Sequence, residues 1–267
     1  MSDLVETLED RLADFTRDTR VLLLSGMALI IGSLSAVVAW VLVWLIAMIT
    51  NLSFYGQFSA KFQSPEHHHL GYYMILVPVI GGLIIGVMAR YGSDKIRGHG
   101  IPEALEAILF GRSQMEPKVA ILKPLSSAIS IGTGGPFGAE GPIIMTGGAV
   151  GSIFAQFFHL SAAERKRLLV AGASGGMAAI FASPVSAALL AVELLLFEWR
   201  PRSFIPVAIA AVAAAALRVP LLGAGPIFPV QPHATLNSEG LVFAFLVGIV
   251  AGLGSGLLTT IVYGFEE

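Results

Sequence analysis

Glu140 is the single carboxylate of the stretch Gly132-Thr-Gly-Gly-Pro-Phe-Gly-Ala-Glu140-Gly-Pro-Ile143, and Ile129, Ile131, Ile144 and Met145 make its surroundings strongly apolar. An ionisable group in so apolar a run is costly, which makes it a functional candidate. Gly141-Pro142 has the form of a helix start, since proline is tolerated in a first turn where no N–H is needed. Bare N–H groups at a helix start carry partial positive charge and attract anions. A carboxylate tethered just before that start occupies the anion site whenever no other anion does. The chemistry predicted is reversible anion binding in competition with Glu140. The plainer alternative is that Glu140 only caps the helix behind it.

Gly98-His-Gly-Ile-Pro102 is a second glycine turn, opening a short helix from Glu103 to Phe110, and so a second candidate anion cradle. His67-His68-His69 has metal-ligand side chains, but three adjacent residues cannot all converge on one ion, so a solvated loop tip is expected and no metal site. The chain has no cysteine, which excludes disulfides and a thiol nucleophile. It contains no Gly-x-Ser-x-Gly elbow, His-Glu-x-x-His motif or Gly-x-x-x-x-Gly-Lys loop. Neither covalent catalysis nor a cofactor is expected.

The elements that must position these residues are membrane helices. Of 267 residues 55% are hydrophobic and only 13% charged, a balance of the integral membrane class. A net charge of −2 gives no reason to expect a nucleic-acid partner. Irregular backbone at membrane depth must be buried in protein or line a watery cavity. Residues 4–20, apolar at Leu4, Leu8, Leu12 and Phe15, predict an amphipathic helix on the membrane surface, and no cleavable signal peptide is visible in this stretch. Apolar helices are predicted over 21–49, 72–90 (broken at Pro78 and Gly81-Gly82), 117–131, 142–158, 168–182, 184–197, 204–217 and 241–263. Residues 51–71 and 220–239 read as loops, and Glu164-Arg-Lys-Arg167 as a charged turn.

Basic residues gather at 11–20, 90–97, 112–123, 164–167 and 200–202 and are nearly absent from 51–71 and 219–240. The positive-inside rule then places the N-terminus and the basic clusters in the cytoplasm and the two poor loops outside. The first span runs outward and the last runs inward. Ile31-Gly-Ser-Leu-Ser-Ala-Val-Val38 also resembles Ala251-Gly-Leu-Gly-Ser-Gly-Leu-Leu258, with small residues matching small. Together these suggest that the last span opens an inverted second copy of the first unit, an arrangement of many transporters.

Gly98-His-Gly-Ile-Pro102, Gly138-Ala-Glu-Gly-Pro142, and Phe181-Ala-Ser-Pro184 through Glu193 to Arg200-Pro201 resemble, in order and spacing, the motifs of the CLC family of chloride channels and proton-coupled chloride transporters. The resemblance implies an all-α integral membrane fold, a CLC-type bundle of tilted and broken helices. Residues 1–20 would form the surface helix, 21–240 the first repeat and 241–267 the opening helix of the second. It implies that Glu140 is the gate. The anion path would be lined by Gly98, His99, Gly100, Ile101, Pro102, Gly138, Ala139, Gly141, Pro142 and Ile143. Transport of chloride or a similar small anion is the implied function, channel-like in the first reading. An anion/proton antiporter (chloride or fluoride) is the second, and a non-transporting half that needs a partner chain is the third.

Three departures qualify that resemblance. His99 stands where the family most often has serine. A neutral imidazole donates one hydrogen bond and a charged one attracts anions more strongly, or residue 99 only supports the turn. The inner glutamate of proton-coupled members falls, counted from Pro184, on Leu194, while Glu193 is expected to bond nearby backbone. The family's second half, with its G-x-F-x-P loop and anion-contacting tyrosine, has no counterpart, so half a path is expected. The further partners implied are protons in the exchange reading, the lipid bilayer, and a second copy in a homodimer of the full-length protein. The smooth faces of 184–197 and 204–217 are its candidate interface, unless they only pack internally. The expected location is a bacterial inner (plasma) membrane, multi-pass.

Overall fold

The structure, a computed structural model, describes residues 20–225 and 237–266. The surface helix expected over 4–20 lies outside the described residues except for Arg20. The chain divides into two units, Met1–Ile227 and Phe228–Glu267.

In the first unit the helices are α1 (Arg20–Tyr55), α2 (Leu76–Tyr91), α3 (Ile101–Leu109), α4 (Pro117–Gly132), α5 (Glu140–Gln156), α6 (Ala162–Phe181), α7 (Pro184–Ala191) and α8 (Pro201–Leu222). Single turns of 3-10 helix, Pro65–His67, Gly71–Ile75 and Asp94–Ile96, punctuate the connections. The second unit contributes α9 (Ser238–Glu266), where the Asn237 side chain accepts the N–H of Gly240 at 2.9 Å and so caps the helix start. Among the described residues, four segments are long and apolar enough to cross a membrane: Arg20–Tyr55, Gly71–Tyr91, Pro201–Leu222 and Ser238–Phe265.

The first unit is built around α6, which packs on α1, α5, α7 and α8 and is buried without interruption from Arg167 to Ala179. Its Gly, Ala and Ser content lets neighbours approach to main-chain contact, the usual means of packing helices in lipid. A Cβ on Gly172 would collide with the carbonyl of Gly147 in α5, and one on Gly32 of α1 would collide with the carbonyl of Ala210 in α8. The alanine faces of α7 and α8 (Ala187, Ala188, Ala191; Ala210, Ala211, Ala214) are buried inside this unit. For these alanines the internal-packing alternative holds, while Val185, Leu189, Leu190, Ile205, Val212 and Val219 are among the residues the two helices leave exposed.

Charged residues collect at one end. Arg20 at the start of α1 pairs with Glu164 at 3.0 Å, Arg165 donates to the carbonyl of Arg112 at 3.4 Å, and Arg167 donates to the Ser203 hydroxyl at 3.1 Å. The loop after α1 lies a helix length away, about 54 Å at 1.5 Å per residue. There His68 rests against Phe54, ring centroids 5.9 Å apart, and accepts the N–H of Leu70.

Three local expectations need correction. Glu164–Arg167 is no turn. It is the first turn of α6, opened by a capping box in which Ser161 and Glu164 each accept the other's main-chain N–H, at 3.3 and 2.9 Å. The helix over 72–90 is not broken at Pro78, which sits in the first turn of α2. Gly81 there gives room to the Thr133 side chain behind α4. The helix over 184–197 is regular only to Ala191. Val192–Leu196 is a π-helical turn, and Phe197 closes it in the left-handed region at φ 55°.

Candidate anion-binding site

The two glycine turns meet through their main chains. Gly100 has φ +116°, open to glycine alone, and a Cβ there would lie 2.5 Å from the carbonyl oxygen of Gly141. The reverse also holds, since a Cβ on Gly141 would meet the carbonyl of His99 and lie 2.5 Å from its Nδ1. The residues expected to line one site are therefore brought together, and each turn requires glycine in the other.

The helix starts differ in what they leave free. At α3 the Glu103 carboxylate accepts the N–H of Gly100 at 2.7 Å, so that amide is engaged within the turn. Ile101 and Glu103 present N–H groups with no partner among the described residues, and Pro102 has none to give. In α5, Glu140 is the first helical residue, one position earlier than the sequence suggested, with Ala139 as its cap. The N–H groups of Glu140 and Gly141 have no partner among the described residues, whereas that of Ile143 is donated to Ala139 at 3.0 Å. Two donors at each start thus point out of the helix with its dipole behind them.

The Glu140 side chain is exposed and folds back towards Gly138, whose Cβ, if present, would lie 3.7 Å from the Glu140 carboxyl carbon. It makes no cap bond to the first turn of α5. This differs from the expected carboxylate resting on the amides: Glu140 is the first helical residue, so its side chain tilts out beyond the helix start towards Gly138.

A cavity of about 350 Å³ opens beside the two turns, with Gly98, His99, Phe137, Gly138 and Pro142 on one side and Lys123 on another. Lys123 was not among the residues singled out by motif. By sequence it belonged to the basic cluster 112–123, yet it is 2% exposed and donates to the carbonyls of Ile96 at 3.2 Å and Gly98. Glu103 and Lys123 therefore clamp the same turn from opposite charges, one taking an N–H and the other giving to C=O. The signal available in the sequence was spacing, since Lys123, Ser126, Ser127 and Ser130 form an i, i+3, i+4, i+7 polar stripe on an apolar helix.

At the charged end, Leu194, the position counted for the inner carboxylate, lies within the π turn. Beyond Ala191 the chain no longer advances at α-helical pitch. Glu193 is exposed and, contrary to expectation, bonds no backbone among the described residues. Glu198 is the carboxylate that the fold ties in: it accepts from the Ser203 hydroxyl, which accepts from Arg167, and lies 3.8 Å from the Arg200 guanidinium. Glu193 and Glu198 line one open cleft with Trp199. Lys166 holds the turn by donating to the Leu196 carbonyl at 2.7 Å, its ammonium 5.8 Å from the Phe197 ring centre.

The family model described as Voltage gated chloride channel matches residues 81–267. A voltage-gated ClC-type chloride channel, ClcB, of Yersinia pestis is 29% identical over 245 residues, covering 86% of this chain and 56% of that protein. Chloride channel protein CLC-f of Arabidopsis thaliana is 26% identical over 73% of this chain and 25% of its own length. The solved structure of a slow cyanobacterial Cl⁻/H⁺ antiporter superposes with a TM-score of 0.67 at 18% identity, over 89% of this chain and 55% of that one. A CLC-type fluoride/proton antiporter does so at 0.68 and 17%, over 89% and 56%. The chain spans about half the length of most of these relatives. Its all-α fold is theirs, and its match over most of its length makes it a membrane protein of the voltage gated chloride channel (CLC) family.

Proposed function

We propose that the chain forms the gated half of a path for chloride or a similar small anion, with Glu140 as the gate. The observation that carries this is the pairing of unengaged amides of Glu140 and Gly141 with a carboxylate tethered at the same helix start, against the turn of Gly98–Pro102. An anion held by those amides and the charged Glu140 side chain exclude each other, so protonation of Glu140 opens the path. The reading needs a second wall, from protein beyond these residues or from a partner chain, and places the charged end of the bundle in the cytoplasm. The exposed apolar positions of α7 and α8, Val185, Leu189 and Val212 among them, are the surface on which a homodimer would close. Glu140→Gln keeps the size and removes the charge. Chloride flux from liposomes holding the protein is expected to lose its dependence on external pH, and an unchanged pH profile overturns the gate.

A second reading, anion/proton exchange, is favoured by Glu198. It is a carboxylate held beside Arg200 in a cleft at the charged end, where a proton could be taken up on that side of the membrane. The relatives include proteins named as channels and as antiporters, so the two readings are separated by proton movement against a chloride gradient.

A further inference from the structure

The cavity beside the glycine turns has a polar wall that the gate does not use. Lys123, Ser126, Ser127 and Ser130 of α4 all line it, and their spacing places them on one helix face. An ammonium has three donors, and the carbonyls of Ile96 and Gly98 take two of those on Lys123, leaving one. Ser126 donates to the Lys123 carbonyl at 3.0 Å, but Ser127 is 8% exposed, lines the cavity, and its hydroxyl has no partner among the described residues. No carboxylate forms an ion pair with Lys123 among the described residues, although the field of Glu103 reaches it. Burying an ammonium costs several kcal/mol, which two carbonyls and the more distant Glu103 offset in part, and an anion beside it offsets more.

We propose that Lys123 and Ser127 bind a small monovalent anion of halide type in this cavity, at a site separate from the amides that open α3 and α5. One ammonium N–H and one hydroxyl O–H suit a single compact anion, and Gly82, Ile85, Ile131 and Phe137 on the facing walls favour a weakly hydrated one. The volume leaves room for the ion and several waters, at about 30 Å³ for each. Because His99 and Gly138 line the same cavity, an ion here stands next to the proposed path and can feed it. The inference rests on the anion-path reading for the class of ligand, and on Lys123 and Ser127 for the place.

The test is crystallography of the chain with bromide as the only halide, read in anomalous difference maps. The expected result is a bromide within about 3.5 Å of both Lys123 Nζ and Ser127 Oγ. Lys123→Met should abolish it, Ser127→Ala should at least halve its occupancy, and Glu140→Gln should leave it in place. Should Lys123→Met fail to fold, Ser127→Ala decides alone, since it removes one oxygen from an otherwise unchanged helix. Bromide at the amides of α5 but not at Lys123 overturns this inference and leaves the path reading standing. Bromide at Lys123 alone upholds the inference and counts against the path. Cavity density without bromide signal, from water or a lipid phosphate, or an occupancy that ignores Ser127→Ala, overturns it.

Discussion

The imidazole of His99 lies against the bare α-carbon of Gly141, with its Nδ1 2.5 Å from the place a Cβ would take. The two turns therefore meet with no room for a side chain at residue 141. Gly141→Ala is expected to force them apart, destabilising the protein by about 1–3 kcal/mol as other overpacking changes do. Anion affinity should fall with it. Thermal unfolding together with chloride titration checks this. A variant with unchanged stability and affinity would show that the turns do not act as one site.

His99→Ser asks whether the ring does more than fill that space. If it faces the anion, replacing it should shift the preference among halides. Flux that keeps the same preference would leave residue 99 as a turn residue only.

Glu198 and Glu193 line one cleft but differ in their bonds, and exchange would use the one that is held. In liposomes under a chloride gradient, Glu198→Gln should abolish coupled proton movement while Glu193→Gln preserves it. Equal loss from both, or from neither, removes the argument for exchange built on Glu198. If the parent moves no protons, the channel reading prevails.

Gln63 stands exposed in the loop after α1 and Lys118 at the start of α4. With no native cysteine, single substitutions at these positions can be labelled cleanly. An impermeant thiol reagent added outside should reach Gln63→Cys and not Lys118→Cys. The reverse pattern would invert the topology and undo the assignment of the charged end to the cytoplasm.

What could be read in the sequence was local chemistry. Gly98–Pro102 and Gly138–Pro142 announce their helix starts by themselves, because glycine and proline dictate backbone shape wherever they occur. Lys123 could not be assigned in that way. A count of basic residues treats every lysine as solvated, and only the fold shows that this one turns inward to the carbonyls of Ile96 and Gly98. Ser161 and Glu164 have the capping-box spacing, a signal that reading the run of charge as a turn leaves unused. The π turn at Val192–Leu196 has no sequence signature, since its residues are as apolar as any α-helix and its stabilising partner, Lys166, sits on another element.

Arg20 and Glu164 are separated by 144 residues, and the helices that pack most closely on α1 are α8 and α6. At synthesis rates of about 5–20 residues per second, α1 therefore waits roughly 10–30 s in the bilayer before α8 exists to cover its Gly32 face. Until α6 brings Gly175 against Gly32, lipid and the insertion machinery are what shield that face, and α8 completes the cover last. Assembly of the bundle is thus late and collective, so substitutions on the small-residue face of α1 should lower the yield of inserted protein more than they lower the stability of the protein that has already folded.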